Sequence, residues 1–217
     1  MKNLYILVEG QTEVAFVKNV LSSYLINFDI NVIPRAVETS QKGGKTHRGG
    51  VTSYVKVHQD LTCSIRSHPR DYFTTMFDYY ALPTDFPGMG FTCSLRGESA
   101  VSHIEAEFKQ NIGHRNFIPY IQLHEFEALL FSDIQKLELE YPTKHKEVMR
   151  LATDVTGLKP EEINTKPETA PSRRILSYIP SYDKVTSGVN ITLQIGIDRL
   201  RLECPHFDSW IRAITAI

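Results

Sequence analysis

The sequence predicts an α/β protein built on a mostly parallel sheet flanked by helices. Three observations carry that expectation. Short, continuous apolar runs recur between Leu4 and Leu123, longer segments with apolar residues at helical spacing separate them, and the runs finish in acids. Strands alternating with helices imply βαβ units with right-handed crossovers. In such sheets, ligands bind beyond the carboxyl ends of the strands.

Leu4 to Val8 reads as a strand buried on both faces. Thr12 is positioned to cap a helix whose apolar stripe is Val14, Val17, Val20, Leu21, Tyr24 and Leu25. Ile30 to Glu38 is a second strand, and Pro34 suggests an edge position. "TSQKGGKTHRGG" (Thr39 to Gly50) is glycine-rich, basic and without periodicity, and reads as a mobile loop. Val51 to Ile65 is assigned as helix on length and context. "YFTTMFDYY" (Tyr72 to Tyr80) is a third strand carrying Asp78 at its end, and "LPTDFPGMG" forms turns through its prolines and glycines. Val101, Ile104, Phe108 and Ile112 mark a helix over Ser99 to Ile112. "FIPYIQL" is a fourth strand, and His124 to Tyr141 continues as a helix on Phe126, Leu129, Leu130, Ile134 and Leu137. Residues 1–132 form the α/β domain. Residues 133–217, helical and loop-rich, form a C-terminal extension packed on it.

The 217 residues are enough for a sizeable core. Apolar content of 41% and charged content of 23% are ordinary for a globular chain. With a formal net charge of -1, any anionic partner must be met by a local patch. Cys63, Cys93 and Cys204 are isolated with no CxxC pair, which argues against a zinc ribbon or disulfide scaffold. They read as buried, reduced thiols of a cytoplasmic protein. The first residues lack the pattern of a signal peptide, and no apolar run reaches the length of about 18 residues that a membrane span needs.

The acids are the candidate site. Glu9 ends the first strand, Asp78 the third, and His124 with Glu125 the fourth, and neighbouring strands lie about 4.8 Å apart. Glu13 follows Glu9 by four residues across the entrance to a helix, so both can face one side. Carboxylates without thiolates suit Mg²⁺ or Mn²⁺, and such ions activate water and stabilise phosphodiester transition states. An acid at a strand end is also an ordinary solvated exit residue or helix N-terminal charge. Glu125 and Glu127 lie about 200° apart on a helix but on one face of a strand. The pattern leaves both arrangements open. His124 is either a ligand or general base, or a hydrogen-bonded structural histidine.

The stretches "LYILVEGQTEVAFV", "MFDYYALPTDFPG", "FIPYIQLHEFEALLF", "PEEINTKPETAPSRRI" and "CPHFDSW" resemble the ordered motifs of a bacterial Toprim-like family, catalogued as domain of unknown function 4276. The likeness runs from Leu4 to Trp210. It implies the Rossmann-type fold shared by topoisomerases, primases and overcoming-lysogenization-defect nucleases. That fold has a glutamate after the first strand and a DxD pair after the third. Glu9 matches the glutamate, Glu13 the second acid of the nuclease branch, and Asp78 the first acid of DxD. Tyr80 stands where the second aspartate belongs, and a tyrosine hydroxyl is a poor Mg²⁺ ligand. Asp85, Glu125 and Glu127 are the replacements at hand. Relatives often accompany ATPases in anti-phage loci, so the resemblance implies a nuclease effector or an ATPase-associated subunit.

Two shorter motifs fail. "GGKT" at Gly43 to Thr46 lacks the upstream glycine of a phosphate loop, and "HEFEA" has Ala128 where a zinc protease needs histidine. Lys42, Lys45, His47 and Arg48 are placed to contact a phosphate backbone, and Arg173 with Arg174 to clamp a phosphate. Each group has a plain alternative, an exposed loop and a structural ion pair respectively. Tyr79, Tyr80 and Phe86 are candidates to stack on a base. The combined expectation is a Mg²⁺- or Mn²⁺-dependent nuclease with Glu9, Glu13, Asp78 and Glu127 on the metal. Glu125 and His124 join Glu9, Asp78 and Glu127 in the chemistry, and Lys45, Arg48, Arg173 and Arg174 hold phosphate. Its partners are nucleic acid, DNA or RNA with tRNA included, an ATPase, and a second copy of the chain. The competing expectation is a non-catalytic interaction or nucleotide-binding subunit of an ATPase complex.

Overall fold

The computed structural model describes residues 1–42, 45–48, 51–164 and 169–217, with side chains for all of these but 38–42, 45–48, 93 and 94. Strand β1 (Lys2–Val8) leads into α1 (Gln11–Phe16), which continues through a π-type turn (Val17–Leu21) into α2 (Ser22–Leu25). Gly10, in extended conformation, is the residue that caps α1. Thr12, expected to be the cap, is already inside the helix, because the first helical bond runs from Val14 N–H to the Gly10 carbonyl. Strand β2 (Ile30–Ala36) pairs in parallel with β1, Pro34 standing opposite Ile6. It occupies the sheet edge, where a residue without an N–H is tolerated.

The segment expected to be a mobile loop instead contains β3 (Glu38–Lys42) and β4 (Lys45–Arg48), paired antiparallel with an irregularity between Glu38 and Ser40. Backbone pairing between two strands needs no apolar periodicity, so the polar sequence concealed it. The glycine pairs at 43–44 and 49–50 lie outside the described residues.

Helix α3 (Tyr54–Ser67) precedes β5 (Tyr72–Asp78), and α4 (Glu98–Ile112) precedes the fourth strand position. There the expected single strand is split into β6 (Phe117–Ile118) and β7 (Ile121–Gln122), both parallel to β5. Pro119 has no N–H to give the ladder. Thr75 bridges the break, its hydroxyl donating to the Tyr120 carbonyl at 2.9 Å and accepting from Tyr120 N–H at 3.1 Å. The helix expected from His124 is a 3₁₀-type run (Phe126–Lys136), broken at Asp133 (φ −155°, ψ 85°) and followed by α5 (Leu137–Glu140). The C-terminal part adds α6 (His145–Asp154), α7 (Pro171–Tyr178), a π-type segment (Lys184–Gly188), α8 (Val189–Ile195), α9 (Ile197–Glu203) and α10 (Pro205–Thr215).

The sheet order is β2-β1-β5-β6 with β7 continuing beside β5, and alternation along each strand divides the core between two faces. Leu4, Ile6 and Val8 join Phe16, Phe126, Leu129, Phe207 and Trp210 on one face. Leu7, Phe73 and Phe77 join Val57, Leu61, Ile104 and Phe108 on the other. The C-terminal helices therefore share a core with β1. Trp210 stacks on Tyr120 at 4.2 Å, and its indole N–H donates to Thr74 Oγ1 at 2.8 Å. Cys204 is buried as expected, but Cys63 is exposed, because α3 turns Val57, Leu61 and Ser64 inward and leaves Cys63 on its outer side. Among the described residues, no helix is long and apolar enough to cross a membrane.

Candidate functional site

β1 gives way to Glu9 and β5 ends at Asp78. The chain leaves β1 toward β2 on one side, then returns to β5 on the other. The gap between these two strand ends is thus the topological switch point, where open α/β sheets place their ligands. Glu9 Oε1 accepts the Asp78 backbone N–H at 2.7 Å, tying the two ends together. Glu13, in the first turn of α1, accepts Gly10 N–H through Oε2 at 2.9 Å, half of a capping box.

Glu127 enters from the first turn of the 3₁₀-type run, and Glu125 is the extended residue before it (φ −152°, ψ 167°). Glu125 turns elsewhere. Its Oε1 accepts Ser172 N–H at 2.6 Å, in the first turn of α7.

A cation links the acids. Lys184 Nζ lies 3.3 Å from Glu127 Oε2, 3.4 Å from Asp78 Oδ2 and 3.9 Å from Glu13 Oε1. Behind it, Tyr182 donates to Glu127 Oε1 at 3.5 Å, and Asp183 accepts Thr186 N–H at 2.6 Å to start the π-type segment. Gly188 permits this packing, since a Cβ there would stand 2.6 Å from the Tyr182 hydroxyl and 3.4 Å from the Phe126 ring.

The four acids are 0 to 8% exposed: Glu127 0%, Glu13 3%, Asp78 6% and Glu9 8%. Burial pushes Glu9 up to about 7, with the Asp78 N–H pulling it down, Glu13 pushing it up and Lys184 pulling it down. Glu127 is likewise pushed up to about 7 by burial against the pull of Lys184. Asp78 sits well above the usual carboxylate range, burial outweighing Lys184. For Lys184, burial opposes the charge, but Asp78, Glu127 and Glu13 overcome it and hold the ammonium above its ordinary value.

The site therefore stores protons and negative charge close to neutrality. One buried oxygen, Asp78 Oδ1, has no hydrogen-bond donor, and Glu127 Oε2 faces the Lys184 ammonium at 3.3 Å, so the buried negative charge depends on a cation. Among the described residues, no group of three or more His, Cys, Asp or Glu side chains is already disposed to hold a metal ion. The spacing is the one that accommodates the Lys184 ammonium. By donor chemistry, oxygen only and no thiolate, Glu9, Glu13, Asp78 and Glu127 fit Mg²⁺ or Mn²⁺.

The other sequence-derived candidates are dispersed. Tyr80 begins in a short 3₁₀ turn (Tyr79–Ala81) and directs its hydroxyl to His124 Nδ1 at 2.8 Å, while accepting from Asn164 Nδ2. His124 adopts the left-handed region (φ 65°), and its Nε2 meets the Glu161 carbonyl at 3.0 Å. Because a carbonyl only accepts, Nε2 carries the proton and Nδ1 accepts from Tyr80. Burial holds His124 below its ordinary value, in keeping with a neutral ring.

Asp85 accepts Tyr54 N–H with both oxygens at 3.1 Å and so caps α3. Arg174 donates to the Thr169 carbonyl at 2.9 Å, and Arg173 is exposed on α7. Lys45 and Arg48 fall on β4, and their side chains lie outside the described residues. Lys184 and Tyr182 escaped sequence reasoning. "SYDKVTSG" signals a capped turn and nothing more, and 106 residues separate Lys184 from Asp78.

A family model described as Domain of unknown function (DUF4276) matches residues 8–215, a span containing all four acids and Lys184. Searches of curated proteins and of solved structures return no match.

Proposed function

We propose that this chain, which belongs to the DUF4276 family, is a Mg²⁺- or Mn²⁺-dependent phosphodiesterase of Toprim-like design that acts on DNA or RNA. The observation that carries the reading is the convergence of buried carboxylates from separate elements at the switch point. Glu13, Asp78 and Glu127 meet on Lys184, with Glu9 bonded to the Asp78 backbone. A bound divalent ion supplies Lewis acidity and a more acidic water.

The rest is assigned to the chain's own residues. Glu9, Glu13, Asp78 and Glu127 would hold the ion, and their burial keeps competing water away. Hydrolysis needs a proton taken from the attacking water and another delivered to the departing ester oxygen. Once on the ion these carboxylates would be held ionised, so both protons would be exchanged with solvent water at the site. The setting suggested by the family resemblance is a cytoplasmic effector of phage defence working with an ATPase.

The test pairs calorimetric titration of Mn²⁺ with cleavage of labelled single-stranded DNA and RNA. Binding and cleavage are expected in the native chain and lost in Asp78→Asn. A chain that binds Mn²⁺ and cuts neither nucleic acid removes the nuclease assignment. A second reading, a non-catalytic partner or nucleotide-binding subunit of an ATPase complex, is favoured by Lys184, which already meets three of the carboxylates, and by Tyr80 in place of an acid. Identical Mn²⁺ heats for the native chain and Asp78→Asn would select it.

A further inference from the structure

Tyr80 fails as a metal ligand, and the structure gives it another task. A cavity of about 420 Å³ opens beside it, lined by Arg96, Ser99, His124, Lys159, Glu162 and Asn164 among others. Two of these wall residues, His124 and Asn164, are bonded to the Tyr80 hydroxyl. The bonds run in one direction, from Asn164 to Tyr80 to His124 to the Glu161 carbonyl, while Thr169 donates to Asn164 Oδ1 at 3.0 Å. His124 holds a left-handed backbone (φ 65°) to complete this chain. Such a conformation is uncommon for a residue other than glycine and persists only where its surroundings enforce it.

The chain also links the cavity's surroundings to the acid cluster. Tyr80 follows Asp78 by two residues and His124 precedes Glu127 by three, and a chain spans at most about 3.6 Å per residue. The Cα of His124, in the wall, therefore lies within about 11 Å of that of Glu127, a reach comparable to that between a phosphate and a nearby base.

Its chemistry narrows the ligand. Arg96 and Lys159 would attract an anion, but Glu98, Glu161 and Glu162 share the wall, so a bare phosphate is poorly served. Only Leu123 and Pro205 offer apolar side-chain surface, so a greasy ligand is too. The size falls within the range of small-molecule sites. What remains is a neutral group that both donates and accepts hydrogen bonds.

We infer that this cavity receives an unpaired nucleobase of the strand whose phosphate lies at the acid cluster, and that Tyr80 replaces a metal-binding acid in order to brace its wall. The inference rests on the nucleic-acid reading above and narrows the substrate to single-stranded or locally opened nucleic acid, whose bases are free to be splayed into pockets.

The test is metal-free equilibrium binding, in EDTA, of the full chain to the four common nucleoside 5′-monophosphates and to ribose 5-phosphate. At least one base-bearing monophosphate is expected to bind tenfold or more tightly than ribose 5-phosphate. Ser99→Trp, which fills the cavity from an exposed position on α4, abolishes that preference, whereas Lys146→Ala, exposed on α6, leaves it intact. Equal binding of ribose 5-phosphate and every nucleotide, or a preference that survives Ser99→Trp, overturns the pocket. Cleavage with Mn²⁺ but no base preference sinks the pocket alone. Base preference without any cleavage sinks the nuclease reading alone.

Discussion

Replacing Lys184 with methionine tests the electrostatic account of the site most directly. The substitution keeps the stem and deletes the ammonium that faces Glu127, Asp78 and Glu13 at 3.3, 3.4 and 3.9 Å. At an effective dielectric constant of about 20, unit charges at such distances attract by about 5 kcal/mol, most of it offset by desolvation. Breaking a fully buried pair costs about 3–5 kcal/mol. The Lys184 side chain is 36% exposed, so solvent screening reduces the loss to about 2 kcal/mol at pH 8. For a chain of this size that lowers the thermal midpoint by about 4–8 °C.

The loss depends on pH with a definite sign. Glu9 and Glu127 sit near 7 in the folded chain against an ordinary 4.5, so the folded state binds more protons. Their contribution to stability is complete below about 4.5 and is lost as pH rises through about 7. At pH 5.5 both are largely protonated, and Lys184→Met then costs under about 1 kcal/mol. Thermal unfolding at pH 5.5 and pH 8, with and without Mn²⁺, reads all of this. Added Mn²⁺ is expected to raise the midpoint of Lys184→Met more than that of the native chain. Equal losses at the two pH values, or a variant as stable as the native chain at pH 8, would refute the reasoning.

Asp78→Asn substitutes a neutral group for a buried carboxylate that burial already drives toward its neutral form. It raises metal-free stability at pH 8 by about 1 kcal/mol while removing Mn²⁺-induced stabilisation, and a destabilised variant in urea titration would count against the strained-cluster view. Gly188→Ala drives a methyl into the Tyr182 hydroxyl and costs about 1–3 kcal/mol. Adding Tyr182→Phe to it restores part of that in the same denaturation assay, and no recovery would misplace the clash. Glu161 accepts the His206 and Phe207 N–H groups at 3.0 Å each, so Glu161→Ala unpins the start of α10 and costs about 2 kcal/mol. Amide exchange localised to α10 checks it.

Much of the architecture was legible because it depends on local pattern. Continuous apolar runs at Leu4–Val8 and Tyr72–Phe77 need cover on both faces, and Pro34 is tolerable on an edge, as observed. The helices at Ser99–Ile112 and beyond Glu9 followed from spacing. Glu9 and Asp78 were readable as strand-end acids because alternating strands and helices bring parallel strand ends to one side of a sheet. The pairing of β3 with β4 was not, because backbone ladders between polar residues leave no periodic trace. Cys63 faced outward for a reason equally hidden, the inward face of α3 being chosen by its partners.

Long-range packing decided the rest. Whether Glu125 or Glu127 reaches the switch point turned on one extended residue at the start of a 3₁₀ run, below the resolution of helical or strand periodicity. Lys184 enters the cluster only because the C-terminal segments fold back across β1 and α1, and no local signal in "SYDKVTSG" carries that information. Tyr80 is the clearest case. Sequence comparison with a motif marks it as a missing acid, whereas its hydroxyl bonds tie it to His124 and Asn164. A sequence by itself determines which groups are available and which strand ends they occupy. The three-dimensional path of the chain decides which charges must neutralise each other, because Coulomb and desolvation energies depend on distance and burial, and the order of residues specifies neither.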